Sequence, residues 1–156
     1  MQARVAQITD AQAIVSVINA AFRNAESFLV DGDRINLQTV HELLHKGTFL
    51  VIDGDDNVLI GCVYVDLRNG RSYLSLLSVD PRYQRAGLGA QLMTAAEEYC
   101  AKAGSRFMDL RIVNVRKELP HFYHSRGYIE TGTEPFMPEV KPKVPCHFVK
   151  MSKPLA

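Results

Sequence analysis

The stretch that most limits how this chain can fold is residues 79–90, Val-Asp-Pro-Arg-Tyr-Gln-Arg-Ala-Gly-Leu-Gly-Ala. It follows an apolar run, residues 73–79, with the character of a strand, and it leads into a long amphipathic helix. Pro81 ends the strand because it has no N–H to give to a ladder. Gly87 and Gly89 place no side chain between a ligand and the backbone, so several N–H groups can converge on one anion. The helix beyond adds unpaired N–H groups and the positive end of its dipole. Strand, glycine turn and helix in this order make a seat for a phosphate or pyrophosphate.

Two well-known phosphate loops do not fit it. The P-loop needs Lys-Ser or Lys-Thr after its last glycine, and neither follows here; the dinucleotide fingerprint G-x-G-x-x-G finds Leu92 at its third glycine. What remains is Q-x-x-G-x-G at residues 84–89. A chain of 156 residues with 47% hydrophobic and 22% charged residues is expected to form one domain, residues 1–156, with its own core. The net charge of +1 gives no electrostatic reason to bind nucleic acid or an anionic membrane. No apolar run approaches the roughly 20 residues of a membrane span, and no basic region followed by an apolar core marks a secretory signal. Cys62, Cys100 and Cys146 are odd in number and widely spaced, as expected of free thiols in a reducing cytoplasm.

From the start of the chain, residues 4–8 read as a strand, and Thr9-Asp10-Ala11-Gln12 as a capping-box start to a helix. Ile14, Ile18, Ala21 and Phe22 give that helix its buried face. Residues 23–34 break the period and read as a loop. Asn36 caps a second helix, which Gly47 closes. Residues 48–52, 58–67 and 71–79 are successive strands, separated by the Asp53-to-Asn57 turn and by Asn69-Gly70, a hairpin signal; Gly61 suggests a bulge. After the glycine loop, Leu88, Leu92, Ala95, Ala96, Tyr99 and Ala103 trace one helix face, which Gly104 ends. Residues 107–113 form a strand leading to Asn114. In Glu118-Leu-Pro-His-Phe-Tyr-His-Ser-Arg-Gly127-Tyr128, Pro120 falls in a first helical turn, and Leu119, Phe122 and Tyr123 share a face. Four prolines within residues 135–145 predict an extended loop before a last strand at 146–151.

The second helix also contains His41-Glu42-Leu43-Leu44-His45, an H-E-x-x-H match that a zinc peptidase would use, with the histidines as ligands and the glutamate as base. Its extension fails at Thr48, and no third ligand presents itself on a later helix. Two histidines on the wet face of a short helix fit the context better.

Residues 84–89 resemble motif A, [QR]-x-x-G-x-[GA], of the GNAT superfamily of acyl-CoA N-acyltransferases, and residues 119–128 resemble its second signature, an aromatic-Tyr helix ending at glycine. The resemblance spans nearly the whole chain. It implies a mixed α/β (α+β) fold, with a mostly antiparallel sheet of about seven strands flanked by about four helices. It implies acetyl-CoA as co-substrate, no metal, and direct transfer of an acetyl group to an amine in a ternary complex. By resemblance, the cofactor lies where the strand ending at Val79 splays from the strand ending near Asn114. Leu77 and Val79 then hold the pantetheine arm through their backbone, and Gln84, Arg85, Ala86, Gly87, Leu88, Gly89 and Ala90 form the pyrophosphate loop. Arg82 or Arg85 is a candidate charge partner. Asn114 either touches the pantetheine or simply terminates its strand. Tyr123 is the candidate acid for the leaving thiolate. The acceptor wall is expected from the loop after the first helix, with Glu26 and Arg34 as candidates. Tyr73 stands where some members carry a glutamate, so the base is open among Glu26, Asp31, His121, His124 or a water near Ser75. The acceptor, a small amine or a peptide, is not specified, a homodimer is left open, and a catalytically silent acyl-CoA-binding module is the alternative from another class.

Overall fold

The computed structural model describes residues 2–84 and 86–155. Seven strands, β1 Ala3–Val5, β2 Thr48–Asp53, β3 Leu59–Arg68, β4 Arg71–Val79, β5 Phe107–Val113, β6 Ile129–Pro135 and β7 His147–Pro154, form one sheet in the order β1-β2-β3-β4-β5-β7-β6. Only β4 and β5 run parallel. Helices α1 Ala11–Glu26 and α2 Leu37–Lys46 cover one face, and α3 Leu88–Lys102 and α4 Leu119–His124 cover the other. The fold is the mixed, mostly antiparallel α/β arrangement that the sequence implies.

The period-2 alternation of β3 decides this layering. Cys62 and Tyr64 turn toward α1 and α2, whereas Val63 and Val65 pack with Leu92, Met93 and Ala96 of α3. At Asn69-Gly70 both residues have positive φ, 46° and 81°, as a two-residue primed turn between β3 and β4 requires. Asn36 accepts from the Thr39 N–H at 2.8 Å and caps α2 as expected. Elsewhere the local devices differ from their sequence reading. The first helix begins at Ala11 after a short 3-10 turn, Ile8–Asp10, and the side-chain bond lies in that turn, where the Asp10 carboxylate accepts from the Gln7 N–H at 2.7 Å. Gly47 has extended rather than left-handed backbone. A Cβ there would collide with the Tyr64 hydroxyl and lie 2.6 Å from the Val65 carbonyl, so close approach demands the glycine. The β2–β3 irregularity falls beside Gly61 rather than on it: Ile52 pairs with Gly61 and Asp53 with Leu59, leaving Ile60 as the extra residue. Gly61 itself makes room for Leu92 of α3, whose Cδ1 would be 3.1 Å from an added Cβ.

The strand at 129–135 has no sequence signature. All but one of its residues are exposed, and Gly132 and Pro135 interrupt it. It is an edge strand held by its ladder to β7.

Candidate active site

The register of β4 creates the site. β4 pairs with β5 only from Arg71↔Phe107 to Tyr73↔Asp109; beyond that point the two parallel strands part. On its other edge, Tyr64 of β3 pairs with Ser75 and Cys62 with Ser78, so β4 carries one extra residue at 76–77. Leu76 sits in this bulge with a φ of +58°, a conformation that costs a bulky residue about 1–2 kcal/mol. Burying its side chain among α1 and α2 contributes about 1.5–3 kcal/mol, which outweighs the strain. The Leu76 carbonyl accepts from the Ser78 hydroxyl at 3.0 Å. Past the bulge, Asp80 gives its N–H to the Ile60 carbonyl, so alternation turns the main-chain groups of Val79, and of Leu77 before it, away from β3. Those groups face the opening between β4 and β5.

At the wide end of this opening stands the N-terminus of α3. Gly87 is its N-cap, at φ +77°, and supplies no side chain to cap it. The first intrahelical bond runs from Gln91 N–H to the Gly87 carbonyl, so the N–H groups of Leu88, Gly89 and Ala90 precede the helical ladder. A Cβ on Gly89 would meet only Phe122 Cζ, at 3.8 Å, which is ordinary contact. The protein's own packing therefore does not require glycine at 89. Gln84 ties the loop to the strand end by donating to the Val79 carbonyl at 3.3 Å. Arg82 folds back on Asp80, Nη2 to Oδ2 2.8 Å, rather than toward the opening. Arg85 lies outside the described residues. Ala86 is exposed and does not line the opening. An uncapped helix end, a glycine that packing leaves free and an unpaired strand edge fit the diphosphate and amide-bearing arm of coenzyme A.

These elements enclose a cleft of about 970 Å³. It is lined by Leu77, Val79, Gln84, Gly87, Leu88, Gly89 and Ala90 on the loop side, by Tyr123, and by Glu26, Arg34 and Tyr73 at the opposite end. Tyr123 is nearly buried, edge-on to Phe122 and Tyr128, and burial pushes its phenol up to about 12. It holds its proton throughout the neutral range. Tyr73 is also raised by burial and lies under the Arg68 guanidinium, 4.7 Å from its ring centre. Asn114 does not line the cleft. Its Oδ1 accepts from the His147 N–H at 2.8 Å and its own N–H gives to the His147 carbonyl, so it closes the β5–β7 pairing. Of the candidate bases, Glu26 and the Ser75 neighbourhood belong to the cleft. Asp31 is held by Lys143 at 2.7 Å, His124 faces Glu130, and His121 is exposed outside it.

Several site residues had no signal in the sequence reading. Arg116, just after β5, bridges Glu26 at 3.1 Å and Glu118 at 2.9 Å, and thereby joins the end of α1 to the start of α4 across the cleft. Arg111 stacks on Phe148 at 3.9 Å and reaches Glu134 at 2.8 Å. The proline-bearing loop folds back over the acceptor end. Phe136 and Met137 line the cleft, and Lys143 clips the loop to α1's exit through the Leu29 and Ser27 carbonyls. In α2, His45 turns Nδ1 to the His41 carbonyl at 2.8 Å, and among the described residues no group of three or more His, Cys, Asp or Glu could hold a metal ion. Among them, too, no helix is long and apolar enough to cross a membrane.

The sequence profile of the acetyltransferase (GNAT) domain matches residues 9–153, and the chain belongs to that family. Solved structures agree in fold at low identity. The ribosomal-protein-S18-alanine N-acetyltransferase from Escherichia coli superposes with a TM-score of 0.78 at 16% identity, covering 99% of this chain and 94% of that one. Spermidine N-acetyltransferase from Vibrio cholerae, in complex with CoA and spermine, gives 0.78 at 16%, covering 99% and 95%. Nourseothricin acetyltransferase gives 0.78 at 20%, covering 99% and 98%. A comparison with curated protein sequences gives no significant match.

Proposed function

We propose that this acetyltransferase moves an acetyl group from acetyl-CoA to a primary amine, by direct attack within a ternary complex. The observation that supports this most is the parting of β4 from β5 beside an uncapped glycine helix end, with Tyr123 in the same cleft. Bound there, acetyl-CoA supplies an acyl group activated as a thioester. The N–H groups of residues 87–90 hold its diphosphate, with Gln84 beside them, and the backbone of Leu77 and Val79 pairs with its arm.

The amine reaches the cleft from the α1 side, past Glu26, Arg34 and Tyr73. The reaction exchanges a C–S bond for a C–N bond; the amine gives up a proton, and Tyr123 protonates the departing sulfur. Burial keeps the phenol protonated, so it reaches the step with a proton to give. Of the candidate carboxylates, Glu26 lines the cleft and serves as base, directly or through water, through the oxygen that Arg116 leaves unengaged.

Release of free thiol from acetyl-CoA, screened against amines and peptides, tests the reading. Tyr123→Phe is expected to lower turnover about 100-fold while leaving acetyl-CoA affinity unchanged. A second reading, a silent acyl-CoA-binding module, is favoured by the absence of a carboxylate at Tyr73. It requires acetyl-CoA to bind and no amine to be acetylated.

A further inference from the structure

The charges at the acceptor end of the cleft are unevenly spent. Each carboxylate that lines it already holds an arginine: Glu26 and Glu118 hold Arg116, and Asp66 holds Arg68 at 2.8 Å. A polyamine or other dication would meet there only carboxylates already paired with an arginine. The cations are not all spent. Arg34 lines the cleft and makes no ion pair among the described residues; its guanidinium lies over the Phe22 ring, 5.4 Å from the centre. Asp33, its neighbour in sequence, is taken by Arg23 at 2.8 Å.

The backbone that presents Arg34 is built rather than loose. Asn19, buried on α1, accepts from the N–H groups of Arg34 and Ile35 at 2.9 and 3.0 Å and donates to the Ile35 carbonyl at 3.0 Å. A fully satisfied buried amide of this kind fixes the loop. Arg111 comes to the same cleft from β5, stacked on Phe148, with only Nη1 engaged by Glu134. Among the described residues its other side-chain N–H donors have no hydrogen-bond partner. Partial burial, more than any neighbouring charge, lowers the pKa of Arg34, which feels Glu26, Arg111 and Glu139 without an ion pair to any of them. Two guanidiniums stacked on aromatic rings and lining one cleft suit a planar oxyanion.

From this we infer that the acceptor is an amine that itself carries an oxyanion, most simply the carboxylate of an amino acid, bound between Arg34 and Arg111. This rests on the proposed acetyl transfer but makes a separate claim about the acceptor. Calorimetry on the coenzyme A complex tests it without turnover, using α- and ω-amino acids, an aminophosphonate, the matching carboxamides, the decarboxylated amines and spermidine. The best oxyanion-bearing amine is expected to bind at least about tenfold more tightly than its carboxamide. Arg34→Gln is expected to erase that preference, leaving carboxamide and coenzyme A affinities unchanged, and Arg34→Lys to restore part of it. Arg111→Gln is expected to weaken the same ligands.

The inference is overturned if no oxyanion outbinds its amide, if spermidine binds best, or if Arg34→Gln weakens every ligand equally. Failure of the wild-type protein to bind acetyl-CoA at all would instead strike the proposed transfer. Arg34 is exposed and its anchor is a main-chain one, so its variants are expected to fold.

Discussion

At the scale of single residues, the glycines separate by cause. Gly47 is held by crowding, so Gly47→Ala should cost about 1–3 kcal/mol in urea denaturation, as Tyr64 and Val65 are pushed away. Gly89 meets no such wall, and a larger side chain there should alter ligand binding more than stability. The cysteines separate by burial. Cys62 is fully buried with its thiol pushed up to about 12, and Cys100 is likewise buried and raised. Cys146 is partly exposed. An alkylating reagent followed by peptide mapping should therefore label Cys146 first in the folded protein; equal labelling of all three would contradict the burial pattern. Residue-level legibility followed the same division. Tyr123 and the loop glycines could be picked out because short motifs fix their spacing. Arg111 and Arg116 could not, because an arginine's role depends on partners distant in sequence, here Phe148 and Glu134 for one, Glu26 and Glu118 for the other. Asn114 read equally well as ligand contact or strand terminator, and its bonds to His147 give it the second role.

Among elements, the strands with alternating or apolar character and the helices with caps were legible, and β6 was not. Its residues have nothing to bury, so only backbone pairing with β7 makes it a strand. The bulge in β4 was equally silent, since Leu76 is a strand former by type and adopts positive φ only because packing on α1 and α2 holds it. Ion pairs tie the first elements together. Arg4 of β1 binds Asp10 at 2.9 Å and Asp53 of β2 at 2.7 Å. The hydrogen bond from Arg4 holds the Asp10 carboxyl below its ordinary value. A carboxylate depressed in the folded state contributes stability that is present above its unfolded pKa, about 4, and is lost as pH falls through the folded value. Arg4→Met should thus lower stability by roughly 1 kcal/mol or less at pH 7, and the gap to the wild type should close below about pH 4 in thermal melts. The loop at 136–146 offers a further check. Lys143→Met removes its clip to Ser27 and Asp31, and proteolysis within the loop should accelerate several-fold; an unchanged rate would mean that Phe136, Met137 and the Leu29 contacts hold it alone.

For the whole molecule, sheet order and helix placement converge on one feature: a parallel pair that separates after three paired residues, next to the helix that crosses over between its two strands. A β4–α3–β5 crossover of this kind is the ordinary way to bring a helix N-terminus to the end of a strand. The sequence disclosed that unit through its glycines, but it could not disclose how far the strands part, because this depends on β5 pairing with β7 on its other edge. On the proposed function, main-chain N–H groups at this helix end hold the diphosphate of acetyl-CoA. Calorimetric titration of acetyl-CoA into the wild type and Gly89→Val tests it most directly. The wild type should bind, and the variant should lose at least about tenfold in affinity while its thermal midpoint stays within a few degrees. Equal affinity in both proteins, or no binding by either, would contradict it.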